Sequence, residues 1–259
     1  MRIQINNSSK CDTFVSIFQH LKQFTEHINI RFSEEEMFIQ SMDAGRVLIF
    51  EIQLPAEWFN AYELGTGSTT IGIHTSLLYK ILNVKEKNQE IVLSTKDNEY
   101  LSIQLLNSPI KEIFDKQFEI PLLDLNYELM EIPEFDHQAE VSLASTTFAT
   151  LINQLRIFGE SVTIQCSEET IQLTADSIEG KMTTNIPIDD LDEFAIEENK
   201  HLQLTFALKH IHDICLYHKI AKHIYIGISE NYPMNLKYNI SSENKNARMS
   251  FYLAPKMID

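Results

Sequence analysis

The stretch TFVSIFQHLKQF at residues 13–24 recurs as TFATLINQLRIF at residues 147–158, an offset of 134 positions. Its apolar residues fall at i, i+3, i+4 and i+7, the spacing of one face of an amphipathic helix. Five apolar positions match in order: Phe14, Ile17, Phe18, Leu21 and Phe24 against Phe148, Leu151, Ile152, Leu155 and Phe158. The pattern predicts the same helix once in each half of the chain.

Each predicted helix is followed by the alternating apolar pattern of a β-hairpin. Residues 28–32 match residues 162–166, and the polar turn SEE occurs at both 33–35 and 167–169. At an offset of 133, a second helix and hairpin repeat. The matched helical positions are Leu78, Ile81 and Leu82 against Ile211, Ile214 and Cys215, and the hairpin turns fall at Asp97–Asn98 and Glu230–Asn231.

The repeat predicts an α+β fold of two duplicated domains, each with antiparallel sheets and two helices. We place the N-terminal domain at residues 1–117, a connecting loop at 118–134 and the C-terminal domain at 135–259.

Bulk composition is typical of an ordered protein in a reducing compartment. The 259 residues are 44% hydrophobic and 22% charged, and the three cysteines include no CxxC pair. The chain has no run of 18 apolar residues. We therefore expect a soluble intracellular protein.

Charge is distributed unevenly along the chain. The net charge is -16, which by itself opposes binding to nucleic acid. The predicted helices, taken as 10–27, 75–88, 145–160 and 205–223, nevertheless carry nine Lys and Arg against five Asp and Glu. Six of the nine histidines also lie in these spans. If DNA is bound, the helices are the elements expected to face it, although Lys and Arg also favour helices for other reasons.

Three stretches resemble signature segments of the proliferating cell nuclear antigen family: residues 40–43 (QSMD), 204–208 (LTFAL) and 251–256 (FYLAPK). Residues 122–125 (LLDL) and 132–134 (IPE) also resemble the interdomain connecting loop of that family. The resemblance runs nearly from end to end of the chain.

The resemblance implies a DNA clamp, a closed pseudo-sixfold ring of three identical chains with helices lining the hole. Subunits would join through a strand near Ile110 to Phe118 in one copy and a strand near Asp176 to Thr184 in the next. The interface residues implied are Ile110, Ile113, Phe114, Ile178, Lys181 and Met182. Residues expected to face DNA are Lys22, Lys80, Lys85, Lys87, Arg156, Lys209, Lys219 and Lys222.

Family members bind partners through a short peptide with a glutamine, an aliphatic residue and two aromatics. The pocket implied for it consists of Met42, Arg46, Val47, Ile49, Met130, Ile132, Pro133, Ala207, Pro233, Tyr252, Leu253, Ala254, Pro255 and Lys256. Arg46, Glu131 and Glu168 depart from the residues usual in the family. The first two bear on peptide choice, and Glu168 replaces a lysine that many eukaryotic members modify.

The implied function is a DNA polymerase processivity factor in the nucleus, or in a viral replication compartment. It would encircle duplex DNA, require no cofactor or metal, have no enzymatic activity, and recruit polymerase, clamp loader, nuclease and ligase. One alternative is a subunit of a heterotrimeric checkpoint clamp or an open viral processivity factor. Another is a metal-dependent enzyme that uses His210, His212, Asp213, Cys215 and His218.

Overall fold

A computed structural model of the chain describes residues 1–65, 67–95, 99–107, 109–133, 135–241 and 246–256. The predicted turn Asp97–Asn98 and the last connecting-loop residue, Glu134, lie outside these ranges. Within them, no helix is long and apolar enough to cross a membrane.

The chain divides into two compact units. The first comprises Met1–Ala44, Glu51–Met130 and Ile240–Arg248, and the second comprises Gly45–Phe50, Glu131–Asn239 and Met249–Asp259. Each unit contains two α-helices packed against one another and against antiparallel strands.

The first unit contains helices α1 and α2 and most of strands β1 to β9. The helices are α1 (Ser8–Leu21) and α2 (Thr75–Leu82). The strands are β1 (Arg2–Ile5), β2 (His27–Phe32), β3 (Glu36–Met42), β4 (Leu48–Pro55), β5 (Ala61–Glu63), β6 (Thr69–His74), β7 (Glu90–Ser94), β8 (Tyr100–Leu106) and β9 (Lys116–Pro121). One sheet has the order β5-β1-β7-β8-β9, and the other strands run β4-β3-β2-β6.

The second unit contains helices α3 and α4 and strands β10 to β18. The helices are α3 (Ser145–Leu155) and α4 (Leu208–Cys215). The strands are β10 (Ala139–Ala144), β11 (Ser161–Cys166), β12 (Thr170–Ser177), β13 (Gly180–Pro187), β14 (Glu193–Ile196), β15 (Leu202–Ala207), β16 (His223–Ile228), β17 (Met234–Asn239) and β18 (Arg248–Leu253). One sheet has the order β13-β12-β11-β15, and the other strands run β14-β10-β16-β17-β18.

The predicted repeat is present in the strand pairing of both units. Strand β2 pairs with both β3 and β6, as β11 pairs with both β12 and β15. The second hairpins, β7–β8 and β16–β17, also correspond.

The apolar helix faces form the core of each unit. The matched residues Phe14 and Phe148 are 0% and 2% exposed, and Leu21 and Leu155 are both 0% exposed. Burying such side chains contributes roughly 1.5–3 kcal/mol each. The side chain of Asn7 caps α1 by accepting a hydrogen bond from Lys10 N at 3.0 Å.

The helices are shorter than predicted at one or both ends. The span 205–223 becomes a helix only at Leu208, because Leu202–Ala207 forms β15, and the helix ends at Cys215. His27 and His223, which the sequence placed in helices, begin β2 and β16. Apolar spacing marks the centre of a helix better than its ends.

The two strands predicted to join subunits are also displaced. Residues 110–115 form no strand, and β9 begins at Lys116. Asp176 and Ser177 end β12, Ile178 lies in the turn, and β13 begins at Gly180. The residues predicted for the subunit interface therefore lie on an edge strand or in the loops beside the edge strands.

Candidate nucleic-acid and partner interface

Seven of the eight cations predicted to face DNA are exposed. They are Lys22, Lys80, Lys87, Arg156, Lys209, Lys219 and Lys222, and all lie on or beside the four helices. Of these, Lys80 and Lys209 lie within α2 and α4, Lys22 and Arg156 cap α1 and α3, and Lys87, Lys219 and Lys222 lie in the segments that follow α2 and α4.

Lys22 and Arg156 are equivalent residues in the two units. Each is the C-cap of its helix, α1 or α3. A cation there interacts favourably with the negative end of the helix dipole. The duplication therefore places one exposed cation at the same point in each unit.

The second helix of each unit carries its charge differently. Lys80 of α2 is exposed, whereas the equivalent residue of α4 is Asp213, which is 8% exposed. The Asp213 carboxylate lies 2.9 Å from Lys209 Nζ and 3.2 Å from His212 Nδ1. Part of the positive charge of Lys209 is therefore offset within α4.

Lys85 differs from the other predicted DNA-facing residues. Its side chain is only 5% exposed, and its Nζ lies 2.9 Å from Asp12 Oδ1. An ammonium group held in this way offers little surface to phosphate. We therefore leave Lys85 out of the proposed DNA-facing set.

The histidine-rich helix α4 holds its candidate metal ligands in other contacts. His218 Nδ1 lies 2.9 Å from Cys215 O, and Asp213 contacts Lys209 and His212. Burial raises the pKa of the Cys215 thiol well above its usual value, which disfavours the thiolate that a metal needs. Within the described ranges, no three His, Cys, Asp or Glu side chains converge as a metal site.

Hydrogen bonds hold the C-terminal segment, which is part of the predicted peptide-binding pocket, against other parts of the second unit. Ala254 N donates to Val47 O at 2.9 Å, and Lys256 N donates to Thr205 O at 2.7 Å. Lys256 Nζ also donates to Ser161 Oγ at 2.7 Å. These bonds bring Val47 and residues 254–256 together with the edge of β15, which ends at Ala207.

The predicted pocket residues differ in exposure. Pro133, Pro233, Arg46 and Val47 are exposed. Leu253 is 1% exposed, so its side chain belongs to the core. The half-buried members are Met42, Ile49, Met130, Ile132, Ala207, Tyr252, Ala254 and Pro255, and Lys256 is exposed. Met42 and Met130 group with the first unit and the others with the second.

Hydrogen bonds hold the connecting segment of residues 122–130 along the first unit. Gln40 Nε2 donates to Met130 O at 2.9 Å, and Met130 N donates to Gln40 Oε1 at 2.7 Å. Leu123 N donates to Gly72 O at 2.8 Å, and Asn29 Nδ2 donates to Leu125 O at 2.9 Å. The sequence marked Gln40 as a family signature but gave no sign of this anchoring role.

Strands β9 and β13 are the outermost strands of their sheets, one in each unit. The nearby apolar residues Phe114 and Ile178 are 74% and 105% exposed. Ile157, which follows α3 and was not among the predicted interface residues, is also 71% exposed. Large exposed apolar residues beside an unpaired edge strand are typical of an interaction surface.

Comparisons with known proteins agree with the division of the chain into two similar halves. The model of the proliferating cell nuclear antigen N-terminal domain matches residues 6–129, and that of the C-terminal domain matches residues 131–256. Proliferating cell nuclear antigen of Saccharomyces cerevisiae is 26% identical over 251 residues, 95% of each chain. Proliferating cell nuclear antigen 2 of Plasmodium falciparum is 23% identical over 255 residues, 95% of this chain and 96% of that protein.

A solved structure shares the fold. A chain of the PCNA2–PCNA3 complex from Sulfolobus tokodaii superposes with a TM-score of 0.86 and 21% identity, and 99% of each chain is covered.

The duplicated helix-and-sheet units define a sliding clamp. The chain belongs to the proliferating cell nuclear antigen family, which the two domain models together match over almost its whole length. The predicted family membership and the α+β clamp fold are thereby confirmed.

Proposed function

We propose that the chain is a DNA polymerase processivity factor, a homotrimeric ring that encircles duplex DNA and tethers replication and repair proteins to it. The observation that carries this proposal is the duplicated set of helices with exposed cations in a chain of net charge -16. A ring retains DNA by enclosing it, so it needs only a modest attraction for phosphate. Catalysis would belong to the tethered enzymes, whose local concentration the ring raises.

The proposed subunit contact joins the β9 edge of one copy to the β13 edge of the next. Pairing would remove two exposed edges and cover apolar residues such as Phe114 and Ile178. Closed assemblies of three copies use one contact repeatedly, with different surfaces on the two sides. The interface set is Ile110, Ile113, Phe114, Ile178, Lys181 and Met182, with Ile157 added.

The mass of the purified chain in solution tests this assembly. Light scattering at micromolar concentration should give three times the 30.0 kDa mass of one chain. Ile178→Asp should reduce the mass to that of smaller species, because it places a charge in the apolar contact. A wild-type monomer would contradict the homotrimer.

A second candidate is a subunit of a ring built from different chains. The structural neighbour from Sulfolobus tokodaii is described as a complex of PCNA2 with PCNA3, which favours this possibility. It predicts that the chain alone stays below the trimer mass and reaches it only with another clamp chain.

We further propose that partner proteins dock through a glutamine-aliphatic-aromatic peptide beside the C-terminal segment. Residues 122–133 would serve as the connecting loop, whereas residues 118–121, which the sequence assigned to the loop, form the end of strand β9. Tyr252 and Ile132 are half-buried and can each present part of an apolar face to an aromatic anchor. Partners expected on this basis are DNA polymerase, clamp loader, nuclease and ligase, in the nucleus or a viral replication compartment.

Calorimetry with such a peptide tests the docking surface. Tyr252→Ala and Ile132→Ala should each weaken binding about tenfold, since interface hot spots contribute roughly 1–2 kcal/mol or more. Tyr127→Ala is the matched control, because Tyr127 is 57% exposed on the same connecting segment but is not among the pocket residues. Unchanged affinity in the first two variants would remove the pocket assignment.

A further inference from the structure

Two histidines face one another across strands β2 and β6 in the first unit. His27 begins β2, His74 ends β6, and the two residues are directly opposite in the antiparallel register. Their Nε2 atoms are 3.1 Å apart, and their ring centroids are 4.0 Å apart at an angle of 48°. His74 is exposed and His27 is half-buried. Solvent therefore reaches the point where the two imidazoles meet.

We propose that His27 and His74 form a two-ligand binding site for a divalent transition-metal ion of the Cu²⁺, Ni²⁺ or Zn²⁺ class. Imidazole nitrogens bind such ions at roughly 2.0–2.1 Å. Two nitrogens 3.1 Å apart at that bond length subtend an angle of about 100° at the ion. This angle lies between those of square-planar and tetrahedral coordination. The nitrogen spacing thus suits one ion, and because the ring centroids are only 4.0 Å apart, the two imidazoles must turn about their side-chain bonds for both lone pairs to point at it.

A change of tautomer lets the same two histidines pass from a hydrogen-bonded state to a metal-bound state. At 3.1 Å, one Nε2–H donates to the other Nε2 when both rings are neutral. When an ion binds, the donating ring takes its proton on Nδ1 instead, and both Nε2 lone pairs face the ion. No proton has to leave the protein, and no redox step is involved.

The duplicated copy shows that the fold does not need these histidines. The equivalent pair in the second unit is Ser161 opposite Ala207, in the same antiparallel register between β11 and β15. Small residues therefore support the same strand pairing. Histidines at both positions of one copy add a metal-ligating pair to a backbone that forms without them.

The donor set selects the class of ion. Imidazole suits Cu²⁺, Ni²⁺ and Zn²⁺, whereas Mg²⁺ and Ca²⁺ prefer oxygen ligands. Affinity should follow the general order in which Cu²⁺ binds more tightly than Ni²⁺ or Zn²⁺. With only two ligands from the chain, water completes the coordination, and the ion should exchange readily, unlike one in a closed four-ligand site.

Titration of the full-length, untagged chain with Cu²⁺ tests the proposal. Calorimetry and electron paramagnetic resonance should show a site with two nitrogen ligands. The double variant His27→Ser with His74→Ala introduces the residues of the second unit and should fold normally. It should weaken Cu²⁺ binding at least about tenfold, since loss of outer-shell partners alone costs about 10- to 100-fold.

The matched control is His201→Ala, which removes an exposed histidine of the second unit and should leave the affinity unchanged. Cu²⁺ should also raise the unfolding temperature of the wild type and have less effect on the double variant. Equal Cu²⁺ affinity in the wild type and the double variant would overturn the proposal. It would identify the histidines as a structural pair joined by a hydrogen bond.

Discussion

Strands β6 and β15 are the same strand in two copies of one domain, and each receives a backbone segment in the same register. Leu123 N donates to Gly72 O at 2.8 Å, and Lys256 N donates to Thr205 O at 2.7 Å. The two donors are 133 positions apart in the sequence, and so are the two acceptors. The connecting segment and the C-terminal segment are thus equivalent. The duplication preserved the backbone arrangement.

The side chains at these two edges are different. The first copy has Gly72 where the second has Thr205. At the strand end, the first copy has the pair His27 and His74 where the second has Ser161 and Ala207. In the second copy Lys256 Nζ reaches the strand end and donates to Ser161 Oγ at 2.7 Å, whereas in the first copy the two imidazoles meet there with their Nε2 atoms 3.1 Å apart. The comparison shows that one backbone frame carries different side-chain contacts in its two copies.

The largest difference between the two edges should appear on adding a methyl group to Gly72. A Cβ there would lie 2.3 Å from Leu123 O and 2.9 Å from Leu125 Cγ, so the connecting segment must move. We expect Gly72→Ala to cost about 1–3 kcal/mol of unfolding free energy, as overpacking usually does. Limited proteolysis should then cut residues 122–130 faster.

The matched control for this change is Thr205→Ala in the second unit. Thr205 already carries a side chain beside the bond from Lys256, and its Oγ1 lies 2.9 Å from Thr163 Oγ1. Losing that partly buried contact should cost about 0.5–1.5 kcal/mol. If the two substitutions lowered the free energy of unfolding equally, the crowding at Gly72 would not distinguish the two edges.

An intermediate effect, on the affinity for DNA, is expected from replacing the cations that cap the first helix of each copy. Lys22→Glu and Arg156→Glu should each weaken binding to duplex DNA severalfold and to a similar extent. Each should also make the negative slope of log affinity against log salt less steep by about 1. Measurements at several salt concentrations on the same duplex check both expectations.

The control for those variants is Arg2→Glu, which makes the same charge change on strand β1. It should affect DNA binding less, because it lies on no helix. If all three variants weakened binding equally, net charge rather than the helix surface would control DNA affinity.

The smallest effect is expected for the buried thiols, which have similar pKa values in the two copies. Burial raises the pKa of Cys11 in the first unit and of Cys166 in the second to about 11. Below that pH the thiols stay neutral, so the folded chain should resist alkylation at pH 8, and unfolding should restore reactivity. Reactivity in the folded state should rise only as the pH approaches 11.

Pulsed alkylation in low denaturant would compare the two thiols directly. In the wild type, Cys11 and Cys166 should become reactive together. In Gly72→Ala, Cys11 should react first, because only its unit carries the added strain. Earlier labelling of Cys166 would contradict that assignment.

The fold was predictable because the decisive information is local and repeated. The apolar spacing around Phe14 and Phe148 indicated two helices, and the matching strand patterns that follow indicated the duplicated domain. Helix ends were less clear, since residues 205–207 were predicted as the start of a helix but form the end of strand β15. Local patterns do not show which backbone groups find partners in a sheet.

The contacts that shape the candidate sites join residues far apart in the sequence. Gln40 contacts Met130 across 90 positions, and Lys85 contacts Asp12 across 73. His27 and His74 are 47 positions apart. A single sequence carries no signal for such pairs. Family resemblance predicted a peptide surface near residues 252–256, but it could not show that the Lys85 side chain is only 5% exposed or that Leu253 belongs to the core.

Retention on blocked DNA tests the proposed enclosure of the duplex most directly. The chain would be mixed at high concentration with a linear duplex, so that rings can pass over the ends, and both ends would then be blocked. The account predicts that protein remains on end-blocked DNA through a high-salt wash and is lost when one end is left open. Equal loss from both DNAs, or equal retention, would contradict it.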